Sequence, residues 1–146
     1  MQEFHISDVL SVTTGRLVSS RHMVGVYAIL NFLTGDDLYT HQLPRAMDEC
    51  RPWLRTQFPT LMQDAPGMAG LLTALDMGME EHGRTSEAIA AWVERVRVET
   101  GLPEMIPVYE LGADMYTHID PLEEAEAMVG KGRVIVTVVE TNTGEK

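Results

Sequence analysis

The sequence is poor in cysteine, in long apolar runs and in basic residues, and each shortage excludes a class of protein. The single cysteine, Cys50, rules out an intramolecular disulfide and fits a reducing compartment. The longest apolar stretch, residues 24–33, has about half of the roughly 20 residues that span a bilayer, and Asn31 interrupts it. The first five residues lack the basic and apolar regions of a signal peptide. We therefore expect a cytoplasmic protein without a membrane segment.

The shortage of basic side chains is uneven along the chain. Eleven Lys and Arg stand against 22 Asp and Glu, for a net charge of −11. Residues 1–60 hold five Arg and six acidic residues, whereas residues 61–146 hold six basic and sixteen acidic ones. Such a surface repels a phosphate backbone and attracts a basic protein, mainly by accelerating their encounter. We expect no direct nucleic-acid binding, although solubility alone also explains the charge.

Length and composition indicate a globular α+β chain of ordinary hydrophobicity, since 45% of its 146 residues are hydrophobic. The composition changes twice along the sequence. Residues 1–60 have the pattern of a helical subdomain. Residues 61–83 are rich in Met and Gly and are predicted to be a flexible connection. Residues 84–146 have the pattern of an acidic α/β subdomain. The alternative is that all three form one compact domain.

Three or four short helices are predicted in residues 1–59. Ser7 and Asp8 have the chemistry of a helix start, and Gly15 that of its end. Residues 22–34 are apolar on nearly every side, which predicts a buried helix closed by a glycine. Pro44 suits the first turn of a helix running to about residue 50, where Pro52 either kinks it or begins another.

The second half combines helices with strands. A helix is expected over about residues 66–77, and residues 86–100 show the clearest amphipathic spacing in the chain. Residues 105–111 and 133–140 are predicted strands, and the helix that begins at Asp120-Pro121 separates them. This order predicts a parallel pair with a right-handed crossover.

One group of residues has metal-ligand chemistry. His118 and Asp120, with Asp114 nearby, resemble part of a two-histidine, one-carboxylate iron site that His41 or His82 would complete. The alternative is that Asp120 caps the following helix, and this is the interpretation we favour. No metal or other cofactor is expected.

Thr40, His41 and Arg45 concentrate polar side chains just before a helix. They are candidates for a binding site, because an imidazole can act as a base and a guanidinium can hold a carboxylate or phosphate. The structural alternative is that Thr40 and His41 cap the helix while Arg45 pairs with Asp36, Asp48 or Glu49. Cys50 is expected to be a buried structural thiol, since Glu49 opposes its ionisation. Residues 130–133 are interpreted as a tight turn.

Methionine is abundant, with ten residues, four of them between positions 62 and 79. Met77 and Met79 are candidates for an adaptable docking surface, with core filling as the alternative.

Three stretches carry a resemblance to other proteins: DVLSVTTGRL at 8–17, YAILNFLTG at 27–35 and THQLPRA at 40–46. With Trp92, Asp120-Pro121 and the terminal Val-Ile-Val run, they are similar to small uncharacterised proteins encoded by bacteriophages and prophages. The similarity is clearest over residues 4–59. The resemblance implies no functional residue, but it implies a viral setting in which small acidic proteins often inhibit host enzymes or defence complexes.

We therefore expect an acidic binding protein, not an enzyme, that inhibits a host protein or a nucleic-acid-guided defence complex by occupying a basic surface. Glu123, Glu124 and Glu126 are the predicted electrostatic contacts. One alternative is a small metal-dependent or histidine-based enzyme in which His41, Arg45, His118 and Asp120 converge. Another is a virion assembly component, which would form a homo-oligomer.

Overall fold

The computed structural model describes residues 1–129, which form six helices and two short strands, and the predicted α+β class is confirmed. The helices are α1 (Ile6–Thr14), α2 (Met23–Thr34), α3 (Leu43–Gln57), α4 (Met68–His82), α5 (Ser86–Thr100) and α6 (Pro121–Val129). The strands are β1 (Gln2–His5) and β2 (Met105–Val108). Single 3₁₀ turns occupy Thr40–Gln42 and Pro59–Leu61. Over residues 1–129, every helix is too short or too polar to cross a bilayer.

The two strands join the beginning of the chain to its second half. β1 pairs antiparallel with β2, with Phe4 opposite Ile106, and both of these side chains are buried. Strand β1, and with it this sheet, was not predicted from the sequence. The strand predicted over residues 105–111 is present as β2 but ends earlier, at Val108. The predicted turn at 130–133, the predicted strand at 133–140 and the parallel pairing all lie outside the described residues.

Helix α1 lies at the centre of the molecule, since all nine of its residues are buried. Three of its four buried hydroxyls donate to carbonyls of the same helix, Ser11 to Ser7 and both Thr13 and Thr14 to Leu10. A helix rich in Ser and Thr can therefore be buried without leaving polar groups unpaired. The predicted start was wrong: His5 is the N-cap, and Ser7 and Asp8 lie buried inside the helix. Gly15 ends it with φ 74°.

Helix α2 packs against α1 by one face only. Its buried face is made of Gly25, Val26, Ile29, Leu30, Leu33 and Thr34. Val24 is 67% exposed, so the prediction of a helix buried on nearly every side was wrong. Gly25 explains the close approach of the two helices, because a Cβ at this position would lie 2.1 Å from Ser19 Oγ and 2.3 Å from Asp8 Oδ1.

Helices α3, α4 and α5 complete one continuous hydrophobic core. Helix α3 passes through Pro52 without interruption, with Pro44 in its first turn as expected. Helix α4 begins and ends later than predicted, at Met68 and His82. Helix α5 has the predicted bounds, and its buried residues are the predicted ones, Ile89, Trp92, Val93 and Val96. The indole N–H of Trp92 donates to the Leu71 carbonyl at 2.7 Å, and this bond fixes α5 against α4.

Candidate binding surface

Arg45 is the centre of an ion-pair network that holds residues 116–124 against helix α3. Its Nε and Nη2 atoms donate to the two carboxylate oxygens of Glu124, each at 2.8 Å. Its Nη1 atom donates to Glu49 at 2.7 Å and to the Thr117 carbonyl at 2.6 Å. The Tyr116 ring lies 5.0 Å from the guanidinium carbon. With its donors occupied in this way, Arg45 acts as a structural clamp.

The network shifts the pKa values of its members. The hydrogen bond from Arg45 lowers the pKa of Glu124 and outweighs the opposing effect of burial. Burial by itself raises the pKa of Glu49, but hydrogen bonds from Thr117 and Arg45 bring it below its ordinary value. The same contacts raise the pKa of Arg45, chiefly through its bond to Glu124. The three groups are therefore charged together at neutral pH.

The 3₁₀ turn before α3 holds the same segment. His41 Nε2 donates to the Pro121 carbonyl at 2.8 Å. Gln42 donates to the Ile119 carbonyl and to Glu124, both at 3.2 Å. Thr40 is hydrogen-bonded to the Tyr27 hydroxyl. Of the three predicted binding residues here, His41 and Arg45 thus hold the C-terminal segment in place, and Glu49 is confirmed as a partner of Arg45.

The metal-ligand candidates do not gather around one point. His118 Nδ1 lies 2.9 Å from Asp36 Oδ2, whereas Asp120 Oδ2 accepts from the Glu123 backbone N–H at 3.3 Å, as the capping alternative expects. Asp114 is exposed. Within residues 1–129 no group of three His, Cys, Asp or Glu side chains has the arrangement of a metal site.

Residues 109–129 form what we call the acidic strip. They contain six acidic residues and no Lys or Arg. The strip runs past α2 and α3: the Leu111 N–H donates to the Leu33 carbonyl, and the Tyr109 carbonyl accepts from Trp53. Its exposed acidic residues are Glu110, Asp114, Asp120 and Glu123, with Glu126 half-buried. Beside them lie exposed apolar side chains at Tyr109, Met115, Leu122, Met128 and Val129.

Glu124 requires a correction. It was predicted as a surface contact for a partner, but its side chain is only 9% exposed and is bound by Arg45 and Gln42. The predicted electrostatic contacts on α6 are thereby reduced to Glu123 and Glu126.

The methionine candidates differ from each other. Met62 and Met68 are buried, so they fill the core. Met77 is 61% exposed, and Met79 packs partly against the core. Met79 also lines a groove between α4 and α5, together with Leu75 and Trp92. Of the four, Met77 and Met79 are therefore the two at the surface.

Two buried ionisable side chains differ in whether their burial was predicted from the sequence. Cys50 is buried, and burial together with the nearby Glu49 raises its pKa to about 12, as expected of a structural thiol. Asp8 is fully buried and accepts hydrogen bonds from Ser19 and Arg21. This buried carboxylate was not predicted, because no local sequence pattern marks Ser19 and Arg21 as partners of Asp8.

Comparison with known proteins gives a family match for part of the chain. Curated proteins and solved structures give no match. The model of a domain of unknown function (DUF7736) matches residues 4–64, which include the stretch where the sequence resemblance is clearest. The match covers the chain from β1 to just beyond the second 3₁₀ turn.

Proposed function

We propose that the protein acts by binding a basic surface of another protein through the acidic strip. The observation that carries this proposal is the composition of residues 109–129, where six acidic side chains occur without any Lys or Arg. Five of them lie outside the Arg45 network. Exposed aromatic and methionine side chains among them supply the apolar contact that a charged patch alone lacks.

The physics favours a basic protein over a nucleic acid or a small ligand. Acidic side chains in solvent repel phosphates, and they raise the rate at which an oppositely charged protein arrives. All five arginines of residues 1–60 are held in ion pairs, most extensively Arg45, and so are not free to bind a phosphate ligand. Binding should therefore weaken steeply with salt.

The class of target follows from the resemblance to phage-encoded proteins over residues 4–59. We propose a host enzyme or a nucleic-acid-guided defence complex, because such machines carry basic grooves for nucleic acid. Occupation of that groove by the acidic strip would inhibit the machine. The support for this narrower proposal is the resemblance and the charge.

The first experiment captures partners of the tagged protein from host lysate at low and at high salt. The captured partner is then purified, and its affinity is measured against a triple charge reversal, Asp114→Lys with Glu123→Lys and Glu126→Lys. The matched control is Glu80→Lys with Glu87→Lys and Glu99→Lys, which changes the net charge equally on exposed positions of α4 and α5.

We expect the strip variant to bind about tenfold more weakly or worse, equivalent to roughly 1.4 kcal/mol. Its salt dependence should be shallower, and the control should stay within about twofold of the original protein. Equal effects of the two variants would show that only net charge matters and would overturn the assignment of the strip.

A further inference from the structure

A cavity of about 410 Å³ lies beside the N-terminus of α1, away from the Arg45 network. Its walls are apolar at Val18, Ile89 and Val93 and polar at His5, Ser7 and Glu104, and the Glu94–Arg97 ion pair also lines it. The volume falls within the roughly 300–1,000 Å³ of cavities that hold small ligands. The cavity is independent of the acidic strip and has no part in the function proposed above.

The polar residues of this cavity are arranged in series. Ser7 Oγ lies 2.7 Å from His5 Nδ1, and His5 Nε2 lies 3.1 Å from Glu104 Oε1. The Ser7 backbone N–H also donates to His5 Nδ1, at 3.1 Å. Since Nδ1 accepts this N–H, it carries the lone pair, and the ring proton lies on Nε2 facing the carboxylate. The Ser7 N–H and the Ser7 hydroxyl share this one lone pair, so transfer of the hydroxyl proton to Nδ1 breaks the bond from the Ser7 N–H.

Helix capping explains only part of this arrangement. As N-cap of α1, His5 needs the contact with the Ser7 N–H and nothing more. It does not need Glu104, 99 residues away, to orient its second nitrogen, nor a cavity lined by Ser7. A hydroxyl, a base and a carboxylate that orients the base form the constellation of a hydrolytic nucleophile, which is recognised by geometry and not by residue order.

Two further features favour attack by Ser7. Its Oγ accepts the Ser20 backbone N–H at 3.0 Å, which fixes the position of the oxygen and leaves its proton directed to His5. Ser7 also lies in the first turn of α1, where the positive end of the helix dipole stabilises the negative charge of a tetrahedral intermediate.

We propose that Ser7, His5 and Glu104 form a hydrolytic site for small, uncharged carboxylic esters, whose acyl group the apolar walls accept. Ser7 Oγ bonds to the carbonyl carbon while its proton passes to His5 Nδ1. The bond between that carbon and the alcohol oxygen breaks, and the alcohol leaves with the proton from His5. Water then attacks the acyl-serine and gives a proton to His5, and the proton returns to Ser7 as the carboxylic acid leaves.

The test uses a fluorophosphonate probe, with the labelled residue located by peptide mass spectrometry, and p-nitrophenyl acetate as the substrate. We expect labelling at Ser7, and loss of both labelling and hydrolysis in Ser7→Ala. Glu104→Gln, at an exposed position that orients His5, should lower kcat about tenfold or more with little change in KM. Ser86→Ala, at an exposed serine beginning α5, should react like the original protein.

A second variant covers the case in which Ser7→Ala fails to fold. Ser7→Cys keeps an acceptor for the Ser20 N–H and places a thiol beside His5. Its reaction with iodoacetamide should exceed that of the buried Cys50 in the same molecule by at least about tenfold. Absence of labelling at Ser7 in folded protein, equal kcat for Glu104→Gln, or a thiol at position 7 as inert as Cys50 would each overturn the proposal.

Discussion

The first 60 residues and the acidic strip use their charged side chains in opposite ways. All five arginines of residues 1–60 are in ion pairs, which are Arg16–Asp76, Arg21–Asp8, Arg45 with Glu49 and Glu124, Arg51–Asp48, and Arg55–Asp64. The strip has no arginine or lysine of its own. The cations that pair with its acidic residues come from outside the strip: Arg45 pairs with Glu124, and the Met1 amine pairs with Glu110.

This difference separates structural charge from functional charge. An acidic residue bound by a buried or half-buried arginine is unavailable to a partner, and its loss costs folding free energy. An acidic residue in solvent contributes little to stability and can be changed freely. Loss of Arg45 or of the buried Asp8 should therefore affect stability, whereas substitution of the exposed acidic residues of the strip should affect binding.

The largest effect is expected at Gly25. Gly25→Ala places a methyl group 2.1 Å from Ser19 Oγ and 2.3 Å from Asp8 Oδ1, so α2 must move away from α1 or the Asp8–Ser19 bond must break. We expect a loss of about 3–4 kcal/mol, from overpacking together with a damaged charge-assisted hydrogen bond. Urea unfolding followed by circular dichroism measures it.

The matched control is Gly70→Ala in α4, where an added methyl group meets nothing within 4 Å. That variant should gain about 0.5–1 kcal/mol, because alanine favours the helix over the unfolded chain. Equal stabilities of the two variants would contradict the close contact at Gly25.

The next largest effect is expected at Arg45. Arg45→Ala leaves Glu124 and Glu49 without their cation and releases the Thr117 carbonyl. Removing one member of a largely buried pair costs about 3 kcal/mol. The control is Arg95→Ala, at an exposed position without an ion pair among residues 1–129, and it should change stability by less than about 0.5 kcal/mol. A similar loss in both variants would show that the clamp is not structural.

The sequence was informative where structure is local. Helix α5 was predicted with its bounds because Thr85, Gly101 and one apolar stripe all act within fifteen residues or so of each other. Gly15 and Gly35 were recognised as helix ends for the same reason, and both have the positive φ that such ends require.

The errors arose where distant residues decide the outcome. Strand β1 has four residues, and its partner lies about a hundred residues further on, so no local pattern marks it. Asp8 has the sequence of an exposed helix start, yet Arg21 and Ser19 enclose it. Glu124 is one of three neighbouring glutamates, and it differs from the other two through contacts with Arg45 and Gln42, which lie about 80 residues earlier in the chain.

A smaller effect is expected from acid. The pKa of Glu124 is lowered by the hydrogen bond from Arg45, so protonation favours the unfolded chain. This contribution to stability is complete above the ordinary pKa of about 4.3, and it is lost as the pH falls further through the lowered value. Urea midpoints at pH 7, 5, 4 and 3 should therefore fall more in the original protein than in Glu124→Gln. Parallel curves for the two proteins would contradict the shift.

The smallest effect should appear within the acidic strip itself. Glu123 lies in the first turn of α6 and Glu126 beyond it, and neither forms an ion pair within residues 1–129. Glu126→Lys should thus leave the free energy of unfolding within about 0.5 kcal/mol of the original. Glu123→Lys should cost roughly 0.5 kcal/mol more, because a cation then faces the positive end of the helix dipole. Thermal unfolding at low ionic strength resolves the difference, and salt should reduce it. If Glu126→Lys lowered the free energy of unfolding by about 2 kcal/mol or more, Glu126 would be a structural charge, as Arg45 and Asp8 are.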